Sequence, residues 1–248
     1  MELFLIILIA FTVAVLFSML GLGGAIIYTP LFILLGLHPL TAIPMALLLN
    51  TITTASASIT YLRHKMVDMK IAYPIISTSI PGAYLGSYLS GKVDTHILIL
   101  LLSVILFLTC MRLLFFSNAG FPAISGKKKL LTGAGAGFII GAVSALVGIG
   151  GGSFIVPLLL VLGLETKNAT ATSAFIITFM ALAGFIGHIG FRYEQLDMEL
   201  LLYAGAAAFI GAQTGSRVMF RRVSSETINR IFAIVLLLVA VKLISGAL

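Results

Sequence analysis

Apolar runs of 18 residues or more, almost free of charge, recur along this chain, and each is long enough to cross the hydrocarbon core of a bilayer as a helix. They fall at 3–20, 41–60, 70–89, 96–116, 130–147, 168–189, 198–216 and 228–246, with two shorter runs at 24–36 and 152–163. Only 9% of the 248 residues are charged, against about 25% in soluble domains. The chain reads as a polytopic integral membrane protein, with the lipid bilayer as its solvent and no room for a separate soluble domain. The first run follows Glu2 directly and lacks the basic start and cleavage site of a secretory signal, so it is expected to remain as a helix. Cys110 is the single cysteine, which rules out an internal disulfide and a cysteine-based metal site. Neither a metal nor a cofactor is expected. The net charge of +7 does not point to nucleic acid, because basic residues of a membrane protein gather on cytoplasmic loops.

The segments fall into two series of five, separated by a linker that ends in Lys127-Lys128-Lys129. Each series contains one short segment opened by a glycine cluster. Gly21, Gly23, Gly24 and Pro30 align with Gly148, Gly150, Gly151 and Pro157 at a constant offset of 127 residues. Gly82-Ala83-Tyr84-Leu85-Gly86-Ser87 aligns with Gly211-Ala212-Gln213-Thr214-Gly215-Ser216 at an offset of 129, as does Val67-Asp68-Met69 with Leu196-Asp197-Met198. Internal repeats of this kind are what many secondary transporters are built from. The expected domains are a first repeat, 1–116, a cytoplasmic linker, 117–129, and a second repeat, 130–248, together forming one transmembrane domain.

Charge in corresponding loops gives the relative orientation of the halves. Arg63, Lys65 and Lys70 surround one loop, whereas its counterpart near 191–199 carries Arg192 among three acids; at the next pair of loops the bias reverses. With ten crossings, one face holds twelve of the fifteen Lys and Arg residues and the other only Lys92, Arg192 and Lys242. Because basic residues mark the cytoplasmic side, the halves are expected to be inverted, with both termini outside. The expected fold is an all-α polytopic membrane protein of two inverted repeats, each with a Gly-broken short helix.

Irregular backbone is tolerated at membrane depth only where protein buries it or water lines it, and short Gly/Pro-interrupted segments at matching places point to a transport site. A helix beginning at Gly23 or Gly150 presents unpaired N–H groups and the positive end of its dipole, a combination that binds anions. The candidate substrate-binding residues are therefore Gly23, Gly24 and Ala25 in the first half, and Gly150, Gly151, Gly152 and Ser153 in the second. Asn50, Thr51 and Thr178 come from the polar runs of the helices that follow. Gly21, Pro30, Gly148 and Pro157 are read as shaping the breaks. All eight carboxylates fall in loops or at the ends of apolar segments, Glu199 at the start of 198–216 among them, whereas proton pumps and cation carriers usually keep one in the interior. His188 is the histidine nearest an apolar interior and the candidate for proton coupling. Most of the hydroxyls at 51–60 are expected to bond their own helix carbonyls or join helices.

The doubled Gly-x-Gly-Gly…Pro stretch and the Gly-Ala-x-x-Gly-Ser pair at 82–87 and 211–216 resemble those of the TauE/SafE family of sulfite exporters and sulfonate permeases. The likeness spans nearly the whole chain, with both motif pairs in order. It implies a secondary transporter of a prokaryotic cytoplasmic membrane, carrying sulfite, a sulfonate, sulfoacetate or a related small anion. The residues themselves imply only an anion. Carried over by position, the signature covers Gly21, Gly23, Gly24 and Pro30, then Gly148, Gly150, Gly151 and Pro157. Ala25 departs from the three-glycine form of the second copy, so the halves are expected to contribute unequally. An anion channel and a non-transporting accessory subunit are the alternatives. An enzyme is not expected, as no Ser/His/Asp set or metal cluster lies in the membrane.

Overall fold

The computed structural model describes residues 2–115, 127–191 and 196–218, and within them nine helices and no strand. The helices of the first half are α1 (Glu2–Leu20), α2 (Ala25–Leu34), α3 (Pro39–Arg63), α4 (Met69–Ser90) and α5 (Thr95–Phe115). Those of the second are α6 (Lys127–Val147), α7 (Gly152–Val161), α8 (Thr166–Phe191) and α9 (Met198–Val218). The expected segment 228–246, most of the linker, Arg192 and the basic cluster after Arg217 lie outside the described residues.

Among the described residues three helices, Pro39–Arg63, Lys129–Val147 and Thr166–Phe191, are each long and apolar enough to cross a membrane. Of the other described helices, α4 and α9 fall short in hydropathy and not in length. Both have the length, but Gly, Ser, Thr and Tyr dilute their hydropathy. Those small residues serve contacts between helices. A Cβ at Gly82 would run into the Phe138 carbonyl, and one at Gly86 into that of Ala142. In the other half Gly211 faces the Phe11 carbonyl and Gly215 that of Val15. Phe138 and Ala142 correspond to Phe11 and Val15 at the 127-residue offset. Each Gly-Ala-x-x-Gly-Ser copy thus seats its helix on the first helix of the opposite half, backbone to backbone, as small residues do between membrane helices.

Helix ends explain where the carboxylates sit. Asp68 Oδ1 accepts from the N–H groups of Lys70 (3.0 Å) and Ile71 (3.3 Å) at the start of α4. Asp197 Oδ1 accepts from Leu200 N–H (2.9 Å) at the start of α9. The repeated Asp-Met pair is a repeated N-cap, satisfying amides that a helix start would otherwise leave open.

At the centre, α3 and α8 pack on each other and each meets the fourth helix of the opposite half. Serine and threonine hydroxyls on α3 point in two directions. Thr51, Thr53 and Thr54 donate to the carbonyls of Leu47, Leu49 and Asn50. Ser56 reaches across to the Phe209 carbonyl (2.9 Å), and Gln213 Nε2 returns a bond to the Ser56 carbonyl (2.7 Å). Ser216 donates to Thr60 one turn further along (3.1 Å). These bonds join α3 to α9.

Candidate functional site

Helix α1 ends at Leu20 and α2 begins at Ala25, while α6 ends at Val147 and α7 begins at Gly152, with a glycine-rich stretch between each pair. Gly21 and Gly23 have φ of 66° and 70°, and Gly148, Gly150 and Gly151 lie at 74° to 76°. That left-handed region costs an L residue with a Cβ roughly 1–2 kcal/mol. Pro30 and Pro157 are the sixth residues of α2 and α7, inside those helices.

The breaks are packed against each other. The Leu22 carbonyl lies against Gly152, and the Ala25 methyl is 3.0 Å from where a Cβ of Gly150 would stand. Each half also serves a carbonyl freed by the other's break. Thr29 Oγ1 donates to Gly148 O (2.5 Å), and Ser173 Oγ donates to Gly21 O (2.9 Å). Thr29 was not singled out in the sequence, since its matching position, Val156, carries no hydroxyl, and Ser173 was visible only as one member of the polar run that also holds Thr170, Thr172 and Thr178.

Between the breaks sits Asn50, 0% exposed. Its Oδ1 accepts from Gly24 N–H (2.6 Å) and Ala25 N–H (3.0 Å). Both donors are main-chain amides, so the oxygen must face them and the orientation of the amide is fixed by chemistry. Its Nδ2 then faces the second break, where a Cβ on Gly150 would collide with it, and it has no hydrogen-bond partner. A buried donor left unmet costs about 1–3 kcal/mol.

The start of α7 differs. Its N-cap is Gly151, which has no side chain to offer, and no described side chain takes the amide hydrogens of Gly151 or Gly152. Around Gly151 stand the Met180 methyl, Ser144 Oγ (2.8 Å from a Cβ placed there) and Ile140 Cγ2 (3.4 Å). Ser144 is 2% exposed and its hydroxyl has no partner. Ser144 and Met180 were invisible to sequence reasoning, because their counterparts are Phe17 and Thr53 and no pattern links them to the glycines.

Gly23, Gly24, Ala25, Asn50, Gly150, Gly151 and Gly152 are thus brought together, with Ser153 following in the first turn of α7. Thr54, on the Asn50 face of α3, touches Gly23 through its methyl. Thr51 and Thr178 have their protons committed to the carbonyls of Leu47 (2.8 Å) and Ala174 (2.9 Å), so in this arrangement neither offers a donor to an anion. His188, 4% exposed, has Nε2 2.9 Å from the Ala145 carbonyl and Nδ1 3.5 Å from Ser90 Oγ. It closes the last turn of α6, just before Gly148. Among the described residues no cluster of His, Cys, Asp and Glu could hold a metal.

The sequence is similar to those of known proteins. A probable membrane transporter protein of Bacillus subtilis, YunE, is 28% identical over 92% of this chain and 92% of its own. Another, y4hK of Sinorhizobium fredii, is 28% identical over 94% and 95%. Sulfite exporter TauE/SafE family protein 3 of Arabidopsis thaliana is 30% identical over 44% of this chain and 22% of its own. No solved structure matches. The family model described as Sulfite exporter TauE/SafE matches residues 6–243, and the chain belongs to that family.

Proposed function

We propose that this protein is a secondary carrier that moves small sulfur-containing anions across a prokaryotic cytoplasmic membrane by alternating access. The observation that carries this reading is the meeting of two glycine breaks around a fully buried Asn50 with an unmet donor. Irregular backbone and unpaired N–H groups at that depth suit a ligand rich in acceptor oxygens. The sulfite named in the family description supplies such oxygens. Among the described residues Asp68, Asp94 and Asp197 are engaged at helix starts, and Glu165 and Glu199 are exposed, unlike the inward carboxylate that cation carriers use.

The two halves, 1–116 and 130–248 with a cytoplasmic linker between, are read as inverted repeats. Two features support this: the contacts exchanged at matched positions, and the reversal of loop charge. Rocking of one half against the other would open the junction of the breaks to each side in turn. The proton gradient is the proposed driving force, with His188 as the group that takes up the proton. Both termini are placed outside.

The test is flux into proteoliposomes of sulfite, sulfoacetate, taurine and thiosulfate. Saturable uptake with counterflow of at least one of them is the expected outcome. Failure of all four removes the sulfur assignment, and current that does not saturate would make the protein an anion channel.

A further inference from the structure

Building on the carrier reading, we infer that the anion's route from the junction of the breaks to one membrane face runs along α3 past Ser58, and that residues 66–68 form the strap that closes it. Asn50, Thr54 and Ser58 recur every four residues and so share one face of α3. Thr54 touches Gly23 through its methyl, so this face leads from the breaks toward the C-terminal end of the helix. Other hydroxyls of α3 are engaged: Thr51, Thr53 and Thr54 by carbonyls of their own helix, Ser56 and Thr60 by α9. Ser58, only 4% exposed, has no hydrogen-bond partner. Two unmet polar groups thus mark the face, Asn50 Nδ2 at the breaks and Ser58 Oγ about two turns beyond.

Past Ser58 the packing is built of small residues, Ala57 of α3 with Ala171 and Ala174 of α8, grouped around Tyr61. Met66 and Val67 lie over that group. On one side they are fastened by Asp68, whose N–H donates to Thr172 Oγ1 on α8 (3.0 Å). On the other, Lys65 turns the chain at a φ of 55°, the single non-glycine residue with positive φ among the described residues. Its N–H and that of Met66 close on the carbonyls of Leu62 (3.0 Å) and Tyr61 (3.1 Å), a helix-ending turn that usually takes glycine. A side chain makes that turn costlier than glycine would, so it yields more readily than the helices beside it. At the other end of the junction the matched places are filled by the helices themselves. Ser58 corresponds to Phe185 and Ala174 to Leu47 at the 127-residue offset, and Leu47 Cδ1 lies 3.2 Å from where a Cβ of Gly184 would stand. Arg63, Lys65 and Lys70 are exposed around the strap, and their charge draws anions to this mouth.

The test is thiol labelling of the whole protein, with Cys110→Ala as background, in membrane vesicles of both orientations. The probe is an impermeant thiosulfonate reagent that itself carries a sulfonate, and Lys65→Cys shows which orientation exposes the strap. Ser58→Cys should react from that face and not from the other. Thr172→Val removes the acceptor of the Asp68 N–H and should speed the reaction about 10-fold, the scale of one hydrogen bond. Ser56→Cys, on the α9 side of α3, should stay unreactive with or without Thr172→Val. The inference is overturned if Ser58→Cys is inert or reacts from the opposite face, if Thr172→Val leaves its rate within about twofold, or if Ser56→Cys reacts equally. None of those outcomes touches the carrier reading. Labelling needs no turnover, so a protein inert to every sulfur anion whose Ser58→Cys still reacts as expected overturns the carrier reading alone.

Discussion

At the start of α2 two amide hydrogens are taken by Asn50, whereas the position 127 residues later is Ile177, equally buried and with nothing to accept them. The same divergence recurs beside it. Ala25 has room for its methyl, while its counterpart Gly152 is pressed against the Leu22 carbonyl. Gly24 has an ordinary φ of −114°, while Gly151 is left-handed at 74°. The two breaks share a plan but not a state. One is sealed by a side chain from 26 residues away in its own half, and the other has no asparagine at the matching position. Matched positions can thus preserve a backbone break while differing in what satisfies it.

The sharpest way to break this contrast is to remove the seal. Asn50→Leu keeps the volume but orphans two buried amides, each worth about 1–3 kcal/mol. A fall in stability of about 2–5 kcal/mol and loss of flux are expected, whereas Ile177→Leu should cost under about 1.5 kcal/mol. Thermal unfolding in detergent, run beside transport, reads both. Equal losses would mean that the two positions are not different in kind.

A second comparison exchanges the residues after the breaks. Gly152→Ala drives a methyl into a backbone carbonyl that cannot swing aside, and about 1–3 kcal/mol of destabilisation is expected. Ala25→Gly should cost only about 0.5–1 kcal/mol. The breaks would be more alike than they look if the order of these two melting shifts reversed.

Where the halves do match, paired variants should agree. Gly86→Ala and Gly215→Ala meet equivalent carbonyls, so each should lose about 1–2 kcal/mol, with a difference inside about 0.5 kcal/mol. Urea or heat titration of the two side by side measures it. The smallest effects are expected at Thr51→Val and Thr178→Val. Each removes one bond to its own helix, leaving stability within about 0.5–1.5 kcal/mol and the KM for sulfoacetate nearly unchanged. A large rise in KM at either would return that threonine to the binding shell.

Much of this could be read before any coordinates. Charge-free runs matched the nine described helices within a few residues, because hydropathy is a local signal. The fate of the first helix start was not local. Capping rules look one turn ahead, and Asn50 reaches Gly24 from another helix. Asn50 was picked out because a buried amide needs partners, but its oxygen proved to serve the fold. Ser144 gave no hint at all, as a lone serine in an apolar helix resembles any other packing residue. The polar run at 51–60 signalled something real in Ser56 and Thr60, namely attachment to α9.

The exchanged seating of Gly82 and Gly86 on α6, and of Gly211 and Gly215 on α1, bears on how the chain comes to be made. During synthesis α1 and α4 leave the ribosome before either of their chief companions exists. The first half is therefore made before the surfaces that cover Gly82 and Gly86 of α4, and the Phe11 and Val15 carbonyls of α1, exist. Severed at the linker, the two pieces should assemble only when produced together. A single polypeptide here behaves as an interlocked dimer that happens to share one backbone.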